Sequence, residues 1–445
     1  MLEASEKTRV VIVGGGFAGF ACAKKLARLF EVRERDIEIV LIDKQDYMLY
    51  TPLLPDVAGG AIDPRFVTVS LADALPSVRL IVGRVDAVDP EARTVTVARE
   101  NHEPLELGWD KLVLTPGSVT RLFDVPGLHE HARGLKTVAE ALYLREQLLH
   151  QLESAEHEAD PVVRRARRTV VVVGASYAGT ELVAQLRALA DAYADRRGIE
   201  RDEIRFLLLD TAKQVMPEVG ERLGEKALEV LRGRGIDIRL ETSLRSVADD
   251  HVVLTDGARV GTHTVAWVTG VTGAPLLDDL GFDLERGRLV VDEYLRAPGH
   301  PDILAGGDAA AVPDLVRGDG AITPPTAQHA SRQGKTLARN VAADFGIGRA
   351  APYRHRDMGL VVDLGPGFAV ANPLGKHLSG LPAKAVTRAY HTYALPRGVN
   401  RWAVTLGYLT TAFVPRPLTR LGLVSAREAG FADSEGIQEP AHASD

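Results

Sequence analysis

The feature that most constrains the fold is a strand–glycine turn–helix unit that occurs twice. The first copy, residues 9–19, reads RVVIVGGGFAG, and the second, residues 169–181, reads TVVVVGASYAGTE. After each copy a further apolar run ends in an acid, at Asp43 and at Asp210. Alternating strand-like and helix-like runs of this kind are typical of parallel βαβ units. We therefore predict an α/β protein with two Rossmann-like dinucleotide-binding domains.

The first turn has the spacing of a dinucleotide-binding fingerprint. Gly14 permits the tight turn, Gly16 lets the backbone approach a pyrophosphate, and Gly19 allows the helix to pack closely on the strand. The anion is then expected at the helix N-terminus, while Asp43 accepts a hydrogen bond from a ribose hydroxyl. Because the motif lies within strand, turn, helix, strand and acid, it predicts a nucleotide site.

The second turn differs from the first in having Ser176 where the first has Gly16. Serine is small enough for close approach and can offer a hydroxyl to phosphate. Asp210 would accept a hydrogen bond from a ribose 2′-hydroxyl and repel a 2′-phosphate, which favours NADH over NADPH, although the nearby Lys213 works against that preference. Two dinucleotide sites in one chain indicate a bound flavin and an exchanging nicotinamide cofactor.

Composition and charge exclude several other classes of protein. A chain of 445 residues suits two or three domains, and a net charge of −7 argues against nucleic acid as a partner. The single cysteine, Cys22, excludes an intramolecular disulfide, a redox cysteine pair and a cysteine-rich zinc site, and we predict no metal. The sequence shows neither a signal peptide nor a membrane-spanning run, so we expect a cytoplasmic protein.

Further local motifs narrow the class. They are VLTPG at residues 113–117, AGGD at 305–308, TAQ at 326–328, TPLLP at 51–55 and GTE at 179–181. Together with the two fingerprints they resemble the two-dinucleotide-binding flavoproteins, and within them the type II NADH:quinone oxidoreductases. The resemblance covers roughly residues 8–415. The redox cysteines of the related disulfide reductases are absent, so the flavin itself would pass electrons onward.

The resemblance implies bound FAD, NADH as substrate, and a set of site residues. Glu181 would lie beside the nicotinamide, and Gln328 and Arg332 beside the acceptor. Alternative interpretations are an N-cap role for the acid at 308 and a helix-dipole role for Glu181. The flavin side would comprise Gly14, Gly16, Phe17, Ala18, Gly19, Asp43, Lys44, Val85, Thr115, Pro116, Gly117, Asp308 and Gln328, and the NADH side Gly174, Ser176, Tyr177, Ala178, Gly179, Asp210 and Gly270.

Two positions depart from the family pattern. Arg332 stands where a second glutamine is usual, and Lys384 stands where tryptophan is common. Two cations near the acceptor site weaken the assignment of a lipophilic quinone. Alternatively, they would steady the negative charge of a reduced quinone.

The predicted boundaries make the FAD domain discontinuous. They are residues 1–121 and 275–348 for FAD binding, 122–274 for NADH binding, 349–432 for a C-terminal region, and 433–445 for a disordered tail. Residues 352–427 hold ten Lys and Arg against two acids. Within them Trp402, Leu406, Leu409 and Phe413 share one helical face. Beside Arg401, Arg416 and Arg420, this stripe predicts an interfacial helix on an anionic membrane; packing in the core or in a homodimer is the alternative.

The favoured function is electron transfer from NADH to a quinone without proton pumping, by a bacterial protein peripheral to the inner face of the cell membrane. The first alternative is a soluble NADH-dependent flavin reductase with a non-lipid acceptor or pathway metabolite. The second is a nucleotide-binding regulator with little turnover. Activity against several acceptors would separate these hypotheses.

Overall fold

The computed structural model describes residues 7–33, 36–356 and 358–437, and the chain divides into two compact units. The first unit comprises Met1–Leu49, Thr68–Val119 and Val271–Arg356, and the second Tyr50–Val67, Thr120–Gly270 and Asp357–Asp445. Each unit contains its own parallel sheet with a glycine turn at the end of one strand. The predicted α/β class with two Rossmann-like domains is confirmed.

The main sheet of the first unit brings four strand ends to one edge. Val13 pairs with both Ile42 and Leu114, and Leu114 also pairs with Ala305. The three central strands, Lys111–Leu114, Thr8–Val13 and Ile37–Asp43, are largely buried because both faces of a parallel sheet are covered, which explains their apolar runs. In spatial order the strands are Arg296–Ala297, His300–Ala305, Lys111–Leu114, Thr8–Val13, Ile37–Asp43 and Arg79–Val82.

Two long helices of the first unit, Phe17–Val32 and Ala327–Asp344, pack closely against each other. A Cβ at Gly334 would lie 2.1 Å from the carbonyl oxygen of Ala18, so only glycine permits this approach. The other elements of the unit are Tyr47–Leu49, Thr68–Ser70, Leu71–Ala74, Arg84–Asp89, Thr94–Arg99, His102–Gly108, Val271–Gly273, Pro275–Leu280, Leu284–Glu285, Arg288–Val290, Gly307–Ala309 and Ala310–Ala311.

The second unit repeats the arrangement with five parallel strands. Val173 pairs with Leu209 and with Trp267, so the second glycine turn, Asp210 and the chain after Trp267 again meet at one edge. In spatial order the strands are Ala132–Arg133, Thr264–Trp267, Thr169–Val173, Arg205–Leu209 and Ile236–Arg239.

Helices surround this second sheet, the longest being Tyr177–Arg197 and Val138–Glu156. Its small antiparallel sheets are Leu244–Val247 with His251–Leu254 and Arg259–Gly261, and Val361–Asp363 with Ala369–Ala371 and Leu378–Ser379. The remaining helical segments are Thr51–Leu53, Leu54–Ala58, Pro64–Val67, Leu128–His131, Pro161–Arg167, Arg201–Glu203, Pro217–Val219, Glu221–Gly233, Pro373–Gly375, Leu381–Ala394, Gly398–Phe413 and Phe431–Glu435.

The helical turn Phe431–Glu435 extends into the first residues of the tail predicted at 433–445, and the Phe431 ring is fully buried in the core around Trp267. Residues 438–445 of the expected tail lie outside the described residues. Within the ranges that the structure describes, no helix has the length and apolar character needed to span a membrane.

Candidate dinucleotide and acceptor sites

The first glycine turn has the geometry that its sequence requires. Gly14 has a φ of 93°, and a Cβ there would lie 2.1 Å from the carbonyl oxygen of Thr115. A Cβ at Gly19 would lie 1.8 Å from the carbonyl oxygen of Gly14, whereas a Cβ at Gly16 would meet open space. The first and third glycines are therefore needed for the fold itself, and the second leaves room for a ligand.

The Asp43 carboxylate lies beside the first glycine turn and is hydrogen-bonded to its backbone. One carboxylate oxygen accepts the N–H of Gly15, and the other accepts the N–H of Gln45. Burial raises the pKa of Asp43 above its ordinary value, and these two N–H donors oppose the shift. Since each carboxylate oxygen has two lone pairs, the side chain retains acceptor sites for a ribose hydroxyl.

The start of the helix Phe17–Val32 fits a dinucleotide phosphate. Its N-cap is Gly16, which has no side chain, and no side chain of the described residues caps the helix. The first N–H groups of a helix have no partner within it, and they attract an anion. Uncapped donors, open space at Gly16 and an acid on the next strand are the arrangement that FAD needs for its ADP half.

The other predicted flavin residues also belong to the first unit: Phe17, Ala18, Lys44, Val85, Pro116 and Gly117. Asp308 lies inside the three-residue helix Gly307–Ala309, whose N-cap is Gly306, so the N-cap interpretation of Asp308 is wrong. Its carboxylate instead accepts a hydrogen bond from the Ser118 hydroxyl at 2.8 Å. This contact ties Asp308 to the segment that follows Gly117.

The second turn reproduces the first. Gly174 has a φ of 111°, and Asp210 accepts the N–H groups of Ala175 and Ala212, just as Asp43 accepts those of Gly15 and Gln45. Ser176 is the N-cap of the helix Tyr177–Arg197, but its hydroxyl donates to Glu218 at 2.8 Å and does not cap the helix. The helix start, which also carries Tyr177, Ala178 and Gly179, is therefore open to phosphate.

A backbone bridge supports the predicted NADH residue Gly270. The carbonyl oxygen of Gly270 accepts the N–H of Arg121 at 3.1 Å, and the carbonyl oxygen of Arg121 accepts the indole N–H of Trp267 at 3.0 Å. Gly270 itself has a φ of 105°, and a Cβ there would meet open space. The segment at Arg121 thus holds the chain at the carboxyl edge of the second sheet.

The predicted acceptor residues lie on the helix Ala327–Asp344. Arg332 donates to the side-chain oxygen of Gln328 at 3.1 Å, one helical turn away. The next residue, Gln333, is buried, accepts the N–H of Gly307 at 2.7 Å and donates to Thr323 at 2.9 Å. Gln333 therefore supports the turn that carries Asp308, a role that its position in the sequence did not indicate.

Glu181 lies in a group of three buried acids, Asp56, Glu181 and Asp363, that we call the carboxylate cluster. The Asp363 N–H donates to Glu181 at 2.7 Å, and burial raises the pKa of Glu181 well above its ordinary value. Burial also raises the pKa of Asp56 to about 7. The first turn of the helix Tyr177–Arg197 contains no acid, and Glu181 lies beyond that turn. The helix-dipole interpretation of Glu181 is therefore wrong.

Lys384 belongs to this cluster rather than facing an acceptor as a free cation. Its ammonium group donates to both carboxylate oxygens of Asp363 and to the carbonyl oxygen of Gly365, and both ion-pair partners are buried. Sequence reasoning counted Asp363 only toward the charge of residues 352–427, and it did not single out Asp56, the residue after the motif at 51–55.

Comparison with known proteins places this geometry in context. The sequence pattern of the pyridine nucleotide-disulphide oxidoreductases matches residues 8–334. The type II NADH:quinone oxidoreductase Ndh of Mycobacterium tuberculosis is 30% identical, with 96% of each chain covered. The demethylphylloquinone reductase NdbB of Synechocystis is 28% identical over 91% of this chain and 96% of its own.

Among solved structures, NDH2 from Plasmodium falciparum in complex with NADH has a similar fold. The TM-score is 0.85 at 16% identity, and the match covers 93% of this chain and 100% of that chain. At this identity the likeness concerns the fold alone.

Proposed function

Because the chain belongs to the pyridine nucleotide-disulphide oxidoreductase family, and within it to the type II NADH:quinone oxidoreductases, we propose that it oxidises NADH and reduces a quinone without pumping protons. The observation that carries the proposal is the pair of uncapped glycine-turn helices, each with its own acid, which provides for two dinucleotides in one chain. Bound FAD supplies the two-electron redox chemistry. The reaction consumes NADH, a quinone and one proton, and yields NAD⁺ and a quinol.

The residues have distinct roles in this proposal. The turn at Gly174 and the carboxylate of Asp210 bind NADH, and Glu181 borders the nicotinamide with a buried carboxyl group whose pKa lies well above its ordinary value. On the acceptor side, the joined side chains of Gln328 and Arg332 offer hydrogen-bond donors to a quinone oxygen. Arg332 is therefore a partner of Gln328 rather than a disruption of the acceptor site.

Acceptor specificity is the direct test of the function. Purified protein with bound FAD should lose its flavin absorbance when NADH is added anaerobically. Steady-state NADH oxidation should then be faster with a naphthoquinone or a benzoquinone than with free flavin. Bleaching without quinone turnover would support the reductase with another acceptor, and the absence of bleaching would contradict the proposed redox function altogether.

We also propose that the helix Gly398–Phe413 attaches the protein to a lipid surface. Its apolar stripe is solvent-exposed, with Trp402 78% and Phe413 86% exposed, so packing of the stripe in the core of its own unit is wrong. The opposite face is anchored, because Val404 and Tyr408 are buried and the Asn400 amide donates to the carbonyl oxygen of Phe66. The exposed face suits insertion among lipid chains.

The arginines contribute less to this attachment than their sequence positions indicate. Arg416 is held inside the second unit by the carbonyl oxygen of Gly59 and by Gln185. Arg420 is paired with Glu153 at 2.8 Å. We therefore expect apolar insertion to dominate binding. Truncation before Asn400 would not test this proposal, since it would also remove Arg416 and the buried Phe431.

Cofactor preference gives a further prediction. Because the Asp210 carboxylate repels a 2′-phosphate, the kcat/KM for NADH should exceed that for NADPH. Asp210→Asn, which removes the charge and keeps the shape, should narrow the ratio by about tenfold, the effect of roughly 1.4 kcal/mol of like-charge repulsion. Asp202→Asn, at an exposed acid of the same unit, is the control and should leave the ratio unchanged. Equal kcat/KM values in the unaltered protein would show that Asp210 is not the discriminating acid.

A further inference from the structure

Two buried carboxyl groups of the second unit approach each other closely. Glu140, at the start of the helix Val138–Glu156, is fully buried, and Glu435, at the end of the helical turn Phe431–Glu435, is almost fully buried. The Oε1 atoms of both lie within 3.0 Å of the point where a Cβ at Gly134 would stand. Glu435 Oε1 is buried and receives no hydrogen bond from the described residues.

The other oxygen of each acid already has backbone donors. Glu140 Oε2 accepts the N–H groups of Lys136 at 2.7 Å and Thr137 at 2.9 Å, and Glu435 Oε2 accepts the N–H of Thr120 at 2.5 Å. The Ser434 hydroxyl lies 3.2 Å from Glu140 Oε1, but it donates its one proton to the carbonyl oxygen of Gly430 at 2.8 Å. Two facing carboxyl groups in a buried site cannot both ionise without strong repulsion, so one proton shared between the Oε1 atoms makes the contact favourable.

The surrounding charges do not replace that proton. Arg133 acts on Glu140 through space, but its guanidinium donates to the carbonyl oxygens of Glu130 and Ala132. Lys136 reaches Glu140 through its backbone N–H, and Asp433 pairs with the exposed Arg427. On the neighbouring helix Leu128–His131, His129 contacts the Phe431 ring and the carbonyl oxygen of Ile437.

The C-terminal segment at residues 431–437 supports the backbone bridge described for Gly270. Phe431 and Ile437 pack in the same apolar core as Trp267, and Glu435 holds the N–H of Thr120. The next residue, Arg121, bonds both Gly270 and the indole of Trp267. The segment therefore fastens the chain that carries the NADH-side residue Gly270.

We infer that Glu435, through a proton shared with Glu140, fastens residues 431–437 against the Thr120–Arg121 backbone and is thereby a positioning residue for NADH binding. The assignment of Gly270 to the NADH side rests on the proposed function. The fastening itself does not, because it depends only on contacts within the second unit.

The shared proton makes the fastening pH-dependent. Burial, followed by the charge of Glu435, raises the pKa of Glu140 to about 8, well above the value of an exposed glutamate. The state in which residues 431–437 pack against Thr120–Arg121 is called fastened, and the state in which they have separated is called open. The fastened state thus binds a proton that the open state releases. The stabilisation is fully present below the pKa of the exposed acid, declines by up to about tenfold in equilibrium constant per pH unit, and levels off above about pH 8.

Amide substitutions provide matched variants. In Glu435→Gln the amide nitrogen can donate to Glu140 while the amide oxygen still accepts from Thr120, so the segment should stay fastened to a higher pH than in the unaltered protein. In Glu140→Gln the amide nitrogen can donate to Glu435 while the amide oxygen still accepts from Lys136 and Thr137, so this variant should behave in the same way. The double variant Glu140→Gln/Glu435→Gln would place two NH₂ groups face to face, and the segment should open.

Hydrogen exchange of the full-length protein measures the fastening directly. Exchange at residues 431–437 gives an opening constant for each protein. The opening constant of the unaltered protein, divided by that of Glu435→Gln, should rise with pH between about 5 and 8 and then become constant. A ratio that is independent of pH, or a double variant as protected as the single variants, would overturn the shared proton.

A kinetic measurement tests the positioning role. With ferricyanide as acceptor, the KM for NADH of the unaltered protein should rise relative to that of Glu435→Gln between pH 6 and pH 9, while kcat changes little. If residues 431–437 open as pH rises but the KM for NADH, relative to that of Glu435→Gln, does not change, the role in NADH binding is refuted. Failure of the proposed function is distinguished by the loss of NADH-dependent flavin bleaching in every variant at every pH.

Discussion

Replacing Lys384 with methionine is expected to lower the free energy of unfolding by about 3–5 kcal/mol, the usual cost of leaving one member of a buried ion pair without its partner. Lys384 is the cation hydrogen-bonded to both oxygens of Asp363, and the cluster around it contains two further acids, Asp56 and Glu181. Methionine fills a similar volume, so the loss reports the missing charge rather than a cavity. Chemical denaturation at pH 7 is the measurement.

The pH dependence of the same variant identifies the cause. A stranded Asp363 carboxylate takes up a proton more readily in the folded than in the unfolded protein, so the destabilisation should shrink as pH falls toward 5. The double variant Lys384→Met/Asp363→Asn removes both charges and should recover most of the stability. Lys376→Met, at an exposed lysine of the same unit, should cost less than about 0.5 kcal/mol. A Lys384→Met protein as stable as that control would contradict the buried pair.

The second large effect is expected at the apolar stripe. Trp402→Ser together with Phe413→Ser should weaken binding to phospholipid vesicles by at least about 100-fold, because each large side chain contributes roughly 1.5–3 kcal/mol when it leaves water. Both side chains are exposed, so the free energy of unfolding and the bound FAD should not change. Vesicle co-sedimentation measures the partition, and Val162→Ser, at another exposed apolar residue of the same unit, is the matched control.

Salt separates the apolar contribution from the electrostatic one. Since Arg416 and Arg420 have partners within the protein, raising the salt concentration should weaken binding less than the double serine substitution does. If the unaltered protein does not bind vesicles, and the double serine substitution converts a dimer to a monomer, the stripe belongs to a homodimer interface instead.

The two nucleotide turns could be predicted from sequence because their physics is local. The residue after each strand, Gly14 or Gly174, needs a positive φ and a close backbone approach, which glycine alone permits at low cost. The acids Asp43 and Asp210 follow from the rule that parallel strands end at one edge of a sheet. Register then brings each acid to its turn, where both carboxylates bond the backbone in the same way.

The sequence by itself thus determined the fold class and the two dinucleotide turns. Only the tertiary structure decided which charged side chains are exposed and which are buried with a partner. A charged residue looks the same in the sequence in both cases. Lys384 and Arg416 lie among distant partners, Asp363 and Gln185, that no local pattern connects to them. Glu140 and Glu435 are 295 positions apart in number and meet only because Phe431 enters the core of the second unit.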